Sequence, residues 1–265
     1  NYTRTIDLGG TVTVGDYAFK TGTDPYSMTL TITPSVVTIG EGAFRGHGGY
    51  SSNYGYSTIV IEEGSHLETI GRYAFADNNF TSFNVPASVT SIAGFAFDNC
   101  TALESLTFEE GDKLLVFGNP EGGTDRLDYD YPVEPVLGGV SGLTEIHFPG
   151  RLTELGNYAL YDTNEYVYSS DGSYYVGLET VTFGAYGNNT EEFTASKLTT
   201  IGNGAFYDTT VTSLTIPASV TLVEANAFAS SDISSITFES IADAPAQLVI
   251  QSGVFNECNS LTSIT

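Results

Sequence analysis

Three histidines, His47, His66 and His147, are the only imidazoles in the 265-residue chain. Imidazole is the side chain best suited to moving protons near neutral pH, yet none of the three sits in a metal-binding or nucleophile motif. The patterns G-x-S-x-G, the P-loop and H-E-x-x-H are all absent. Glu145 and His147 lie two residues apart beside the longest insertion. Such a pair is either a solvated contact or one corner of a site. The run Asp125-Arg-Leu-Asp128-Tyr-Asp130 offers three carboxylates to a calcium ion, but their spacing lacks the full EF-hand pattern and its glycine, and it reads as solvated loop acids. Cys100 and Cys258 are the only cysteines. They make neither a disulfide framework nor a metal-ligand spacing. These residue types point away from an enzyme and call for no cofactor or metal.

Tyrosine is the residue that clusters. Tyr50, Tyr54 and Tyr56 fall in one segment, Tyr129 and Tyr131 in another, and Tyr161, Tyr166, Tyr168, Tyr174 and Tyr175 in a third. Small residues surround them, as in Gly48-Gly49-Tyr50-Ser51-Ser52 and Ser169-Ser170-Asp171-Gly172-Ser173. Tyrosine among Gly, Ser and Asn resembles the chemistry of antibody contact loops, where an amphipathic ring gives large contact area at low entropic cost. Two readings stand side by side. The rings pack their loops onto the body of the protein, or they form a recognition surface for a protein or a glycan. Tyr50, Tyr54, Tyr56, Tyr129, Tyr131, Tyr166, Tyr168, Tyr174 and Tyr175, with Glu145 and His147, are the candidate binding residues.

Composition narrows the partner. The net charge is −24, with only 8 Lys and Arg against 32 Asp and Glu. No basic patch is available to neutralise phosphates, so nucleic acid is excluded as a partner. No stretch of about 18 apolar residues exists, so no membrane insertion is expected. The chain is 41% hydrophobic and only 15% charged. Its polarity comes from Thr, Ser, Gly and Asn, which favour strands and turns over helices.

Those elements come from a repeat. Val211-Thr-Ser-Leu214-Thr-Ile216-Pro217-Ala-Ser-Val220-Thr-Leu-Val223-Glu-Ala-Asn-Ala227-Phe228 matches Phe80-Thr-Ser-Phe83-Asn-Val85-Pro86-Ala-Ser-Val89-Thr-Ser-Ile92-Ala-Gly-Phe-Ala96-Phe97 position by position. An Ala-Phe box ends most copies, at Phe19, Phe44, Phe75, Phe97, Phe206 and Phe228; Leu160 and Phe255 close variant boxes. Five residues upstream stands an aliphatic slot, often followed by glycine: Val14, Ile39, Ile70, Ile92, Leu155, Ile201 and Val223. Phe117-Gly118 fits the slot but no Ala-Phe follows, so that coil is expected to open into an insertion. Each coil also carries an apolar-x-apolar pair, from Leu30/Ile32 through Ile59/Ile61, Phe83/Val85, Leu106/Phe108, Ile146/Phe148, Val181/Phe183, Leu214/Ile216 and Ile236/Phe238, with Leu261 and Ile264 beginning a ninth. Alternate residues of a strand share a face, so each pair predicts a short strand with its core side inward. The short polar residues between them, such as Thr58, Asn84, Thr107 and Thr215, face outward. A period of about 22 residues is that of a leucine-rich repeat.

The expected fold is therefore a repeat solenoid over residues 1–265. It is a right-handed leucine-rich-repeat array, β-rich, with one parallel sheet of about nine short strands and short helical or 3-10 turns around the Ala-Phe boxes. Insertions are expected near 45–57, 119–141, 161–177 and 184–196. The box phenylalanines should stack as an internal ladder. The glycine after each slot should turn a tight corner, and Asp77, Asp98, Asn99, Asp162 and Asp208 suit the turn after the box. Cys100 and Cys258 fall in one slot of coils five strands apart, roughly 24 Å at the usual strand spacing. Two buried free thiols follow. The last coil stops inside a repeat, and solenoid ends need caps, so the natural protein is expected to continue past Thr265 or to pack its end on another molecule.

The motif Leu-x-x-Ile-x-Ile-Pro-x-x-Val-x-x-Ile-Gly-x-x-Ala-Phe-x-x-Cys, carried almost whole at 80–100 and 211–228 and in part at 255–264, resembles the BspA-type, or Treponema-type, leucine-rich repeat of bacterial surface proteins. The resemblance implies a secreted or surface-anchored protein, extracellular in location, that serves adhesion or protein–protein interaction with a host or partner-cell protein. It brings no catalytic residues. A glycan-binding surface and a passive spacer are the alternatives the residues leave open.

Overall fold

A computed structural model describes residues 4–22, 28–47, 55–119, 133–169, 172–184, 195–239 and 248–265. Among them there are strands and turns and no helix. The aliphatic slots build the most regular feature. They form a nine-stranded parallel sheet that runs in chain order: Thr13–Val14, Thr38–Ile39, Thr69–Ile70, Ser91–Ile92, Leu115–Phe117, Leu152–Leu155, Thr200–Ile201, Leu222–Val223 and Val249–Ile250. Each coil lays one short strand beside its predecessor, as expected of a stack whose units bury nothing alone. One contiguous hydrophobic cluster runs through the stack from Leu8 to Val254.

The apolar-x-apolar pairs form strands where the sequence places them, but not one continuous ladder. They divide into Arg4–Asp7, Met28–Ile32 and Tyr56–Ile61; Ser82–Val85 with Ser105–Phe108; Glu145–Phe148 with Thr180–Phe183; and Ser213–Ile216, Ser235–Phe238 and Ser263–Ile264. At the slots glycine lets backbones touch: a Cβ on Gly71 would lie 2.8 Å from the Gly40 carbonyl carbon, and one on Gly202 would lie 2.7 Å from that of Gly156. The opposite face carries buried rings such as Phe83, Phe108 and Phe148 behind its strands. The glycine after the slot thus serves close stacking, not the corner conformation expected of it. Of these glycines only Gly118 has a positive φ, at 98°.

The boxes are turns, not helical or 3-10 segments. Left-handed residues bracket them: Tyr73 and Asp77 around Phe75, Phe95 and Asn99 around Phe97, and Tyr158 and Asp162 around Leu160, all with φ between 53° and 60°. A left-handed residue every four positions cannot propagate a right-handed turn. The box amides bond instead to the next coil, Phe75 N–H to Ala96 O at 2.9 Å and Asp77 N–H to Asp98 O at 2.8 Å. Along this track the phenylalanines stack as expected, although Phe19 in the first coil is exposed rather than internal. Phe19, Phe44, Phe75 and Phe97 follow one another at 5.5, 5.9 and 5.8 Å, and Phe206, Phe228 and Phe255 at 5.0 and 5.7 Å.

The coil that lacks a box still completes its turn. Phe97 N–H bonds to Val136 O, as Phe75 bonds to Ala96, and Val136 N–H bonds to Ala159 O. Val136-Leu137 thus takes the place of Ala-Phe, with both side chains fully buried. The repeat resumes before the expected insertion boundary at 141.

Two packing expectations need correction. Ile59 and Ile61 are only partly buried. Cys100 is buried, but Cys258 is half-exposed in the last coil; both are free thiols, as expected.

Candidate functional site

The insertion after Leu160 folds back on itself as an antiparallel hairpin, Asn164–Val167 against Tyr174–Gly177. Its neck is fixed by the coil from which it leaves. Leu178 N–H reaches Thr163 O at 3.2 Å, and the buried Thr163 hydroxyl donates to Leu160 O at 2.9 Å. Gly177 is needed there because a Cβ would fall on the Thr163 carbonyl oxygen. Asn164 Nδ2 donates to Asp208 O at 2.7 Å on the following coil, and Ser141 Oγ donates to Glu165 Oε2 at 3.1 Å on the preceding one. The hairpin is thereby held on both sides.

Alternation then sorts its side chains. Tyr166 and Tyr168 share a face, and Tyr175 lies directly across from Tyr166. The Tyr166 ring is 4.9 Å from each of the other two. Tyr174 pairs with Val167 and so points to the other face. All four rings meet solvent, with Tyr168 84% exposed. At the root Tyr158, Tyr161 and Tyr207 form a second cluster, with Tyr161 and Tyr207 5.6 Å apart. A group of rings in contact with one another and open to water supplies apolar area and hydroxyls together, which is what a contact surface needs.

The remaining candidates scatter. Glu145 and His147 project from the solvent face of Glu145–Phe148. His147 Nε2 stands 3.6 Å from Glu145 Oε2, and Nδ1 is 2.8 Å from Thr182 Oγ1. Among the described residues no group of three His, Cys, Asp or Glu is placed to hold a metal. Tyr56 does not belong to a contact surface. It is fully buried against Phe44, and its hydroxyl donates to Phe19 O at 3.0 Å. Burial also pushes its phenol pKa well up. The alternation of its own strand turns it inward, beyond the last residue of the loop. Tyr50, Tyr54, Tyr129, Tyr131 and the run Asp125–Asp130 lie outside the described residues.

The anchoring residues Ser141, Thr163, Asn164 and Gly177 escaped the sequence reading, and Asp208 was read only as a turn residue. Only Thr163 carried a usable signal: it stands three residues after its box, where Asn78, Cys100, Thr209 and Ser231 stand in other coils.

A family model described as BspA type leucine-rich repeat region matches six copies, over residues 12–115, 136–232 and 177–265. No curated protein matches in sequence. Among solved structures, the pneumococcal vaccine antigen PcpA aligns over 99% of this chain and 60% of its own, at 16% identity and a TM-score of 0.50. The chain therefore spans less than two thirds of that protein, and the likeness is one of fold. A leucine rich cell surface protein from Faecalibacterium prausnitzii aligns over 100% of this chain and 87% of its own, at 17% identity and a TM-score of 0.37. A leucine-rich repeat protein from Eubacterium ventriosum aligns over 99% and 72%, at 17% identity and a TM-score of 0.39.

Proposed function

The chain belongs to the BspA-type leucine-rich-repeat family, and on that footing we propose that it is a non-catalytic binding module of a secreted or surface-anchored bacterial protein, whose contact with a partner protein is made by the tyrosine hairpin. The observation that carries this reading is the hairpin itself. Nothing in the stack requires it, because the coil closes at Thr163 and Leu178 without it. It nonetheless holds four exposed tyrosines on a two-strand support tied to both neighbouring coils. Interface cores are rich in tyrosine and poor in charge, and the hairpin strands carry one charged residue, Glu165. The strongly acidic remainder of the chain favours a partner with a basic surface and adds long-range steering.

The test is a binding screen against immobilised extracellular-matrix proteins and whole host-cell surfaces, at low and physiological salt. It compares the native chain with a variant carrying Tyr166→Ser, Tyr168→Ser, Tyr174→Ser and Tyr175→Ser. A saturable hit that weakens with salt and is lost in the variant, with thermal unfolding unchanged, supports the proposal. A hit that the variant retains in full removes the hairpin from the interface. Absence of any hit favours the spacer reading.

A further inference from the structure

On the box side of the stack, beside the root of the hairpin but not lined by its four exposed rings, a cavity of about 380 Å³ opens between three coils and the returning end of the long insertion. Arg45, Arg72, Tyr73, Phe95, Asp98 and Tyr161 line it. Tyr73 and Phe95, both left-handed, stack at 4.7 Å with their planes 6° apart. The guanidinium carbons of Arg45 and Arg72 each lie 4.5 Å from the Tyr73 ring centre. Both guanidiniums are also oriented by acids. Arg45 Nε donates to Asp77 at 2.7 Å and Arg72 Nε to Glu134 at 3.0 Å. Each arginine is thus fixed by ring and carboxylate through one edge, and among the described residues no protein group takes the Nη atoms. The Asp98 carboxylate lies within electrostatic reach of both guanidiniums, with Asp77 and Asp162 beside it.

We propose that this cavity is a saccharide subsite that takes one neutral hexose-type unit of a glycan. Charge decides the class. Two arginines are already balanced by Asp77 and Glu134, and Asp98 and Asp162 add negative charge at the wall, so an anionic sugar is repelled. A basic side chain meets the two guanidiniums. A neutral polyol avoids both penalties, because its hydroxyls accept from Nη and donate to Asp98. Aromatic and proline surface from Tyr161 and Pro135 meets the apolar face of a pyranose ring. The volume suits one such unit and lies at the small end of ordinary ligand sites. Burial and the neighbouring Asp77 hold the Asp98 carboxyl at about 7. A sugar hydroxyl can serve either of its protonation states, which keeps the subsite usable on both sides of neutrality. This inference does not rest on the hairpin proposal.

The experiment titrates the native chain with the methyl glycosides of glucose, galactose, mannose and N-acetylglucosamine, and with glucuronate and sialate. Saturation-transfer NMR and calorimetry provide the readout. Saturable binding of at least one neutral glycoside is expected. It should weaken by roughly tenfold or more in Arg72→Gln, the size of a lost charge-assisted hydrogen bond, and be unchanged in the four-tyrosine hairpin variant. A thermal unfolding transition of Arg72→Gln that matches the native chain separates loss of the site from loss of the fold. Binding only of glucuronate or sialate, or no saturable binding of any sugar, overturns the proposal. So does binding that the hairpin variant loses and Arg72→Gln keeps.

Discussion

At the residue scale the stack is held by small polar side chains placed three residues after each box. Thr163, Thr209 and Ser231 donate their hydroxyls to the box carbonyl of their own coil, at 2.9, 3.1 and 2.6 Å. The thiols of Cys100 and Cys258 turn instead to the preceding coil, reaching Phe75 O and Phe228 O. Asn78 does both, donating to Phe75 O and Phe44 O while accepting from Tyr56 N–H. Cys100→Ser should therefore cost less than about 1 kcal/mol, since its hydroxyl suits a column that already uses Ser and Thr. Asn78→Ala should cost ~2–4 kcal/mol, because it strands the buried Tyr56 N–H and Phe44 O and leaves Phe75 O only the weak thiol donor of Cys100. Denaturant melts of the two variants would check the contrast. Asp98 gives a pH prediction. Its folded carboxyl titrates at about 7, against a usual value near 3.8, so the folded state holds a proton that the unfolded chain releases. The cost of burying the charge is present in full above about pH 7 and is relieved as pH falls toward 4. Burial raises Asp162 and Asp208 in the same direction. Asp98→Asn should raise stability at pH 8 by ~1–2 kcal/mol and flatten the dependence of the melting temperature between pH 5 and 8. An unchanged profile would contradict this assignment. None of this was visible in the sequence, where Asp98 read as one more turn residue; its burial depends on Gly138, a residue of another coil.

At the element scale the coil is a closed circuit of slot strand, box turn and face strand, and its parts differ in how far the sequence disclosed them. The slot and the box announced themselves through Ile, Gly and Ala-Phe at fixed spacing, and the stacking of Phe19, Phe44, Phe75 and Phe97 follows directly. Phe97 touches Phe75, Phe80 and Phe83. Phe97→Ala should therefore destabilise the protein by roughly 3–5 kcal/mol, measurable by urea unfolding. What the spacing concealed was conformation. Tyr73, Phe95 and Tyr158 carry positive φ, which bulky residues rarely adopt, and no propensity would have placed them there. The substitution of Val136-Leu137 for a box was likewise hidden, because the match lies in hydrogen bonding and not in residue type. The hairpin is the opposite case: its tyrosines were legible, but its strand pairing was not, since alternation is weak in Asn164–Val167. Excising residues 165–176 and closing the neck with a short glycine-serine turn should leave thermal stability within about 1 kcal/mol, because the neck bond from Leu178 to Thr163 remains. Collapse of the melting transition in that variant would show that the hairpin is part of the folding unit.

At the scale of the whole molecule, the stack is a continuously packed support that distributes distinct surfaces around its circumference. The slot side is closed by a nine-stranded sheet packed through glycine. The face strands present short hydroxyls, the box side holds the arginine and aromatic cavity, and the hairpin stands out from one coil. Repetition made the architecture readable from the sequence, since every coil repeats the same evidence. The proposed contact surface was not readable in the same way, because the hairpin lies where the repeat is interrupted, and an interruption appears once. The net charge of −24 acts at this scale too, favouring basic partners at low salt. The most direct test of the binding-module account is surface plasmon resonance of a matrix protein or host-cell surface preparation over the immobilised native chain and over the chain with residues 165–176 excised. The account predicts saturable binding to the native chain, weakened as salt rises from low to physiological, and abolished by excision while the fold remains intact. Equal binding to both chains would place the interface elsewhere and contradict it.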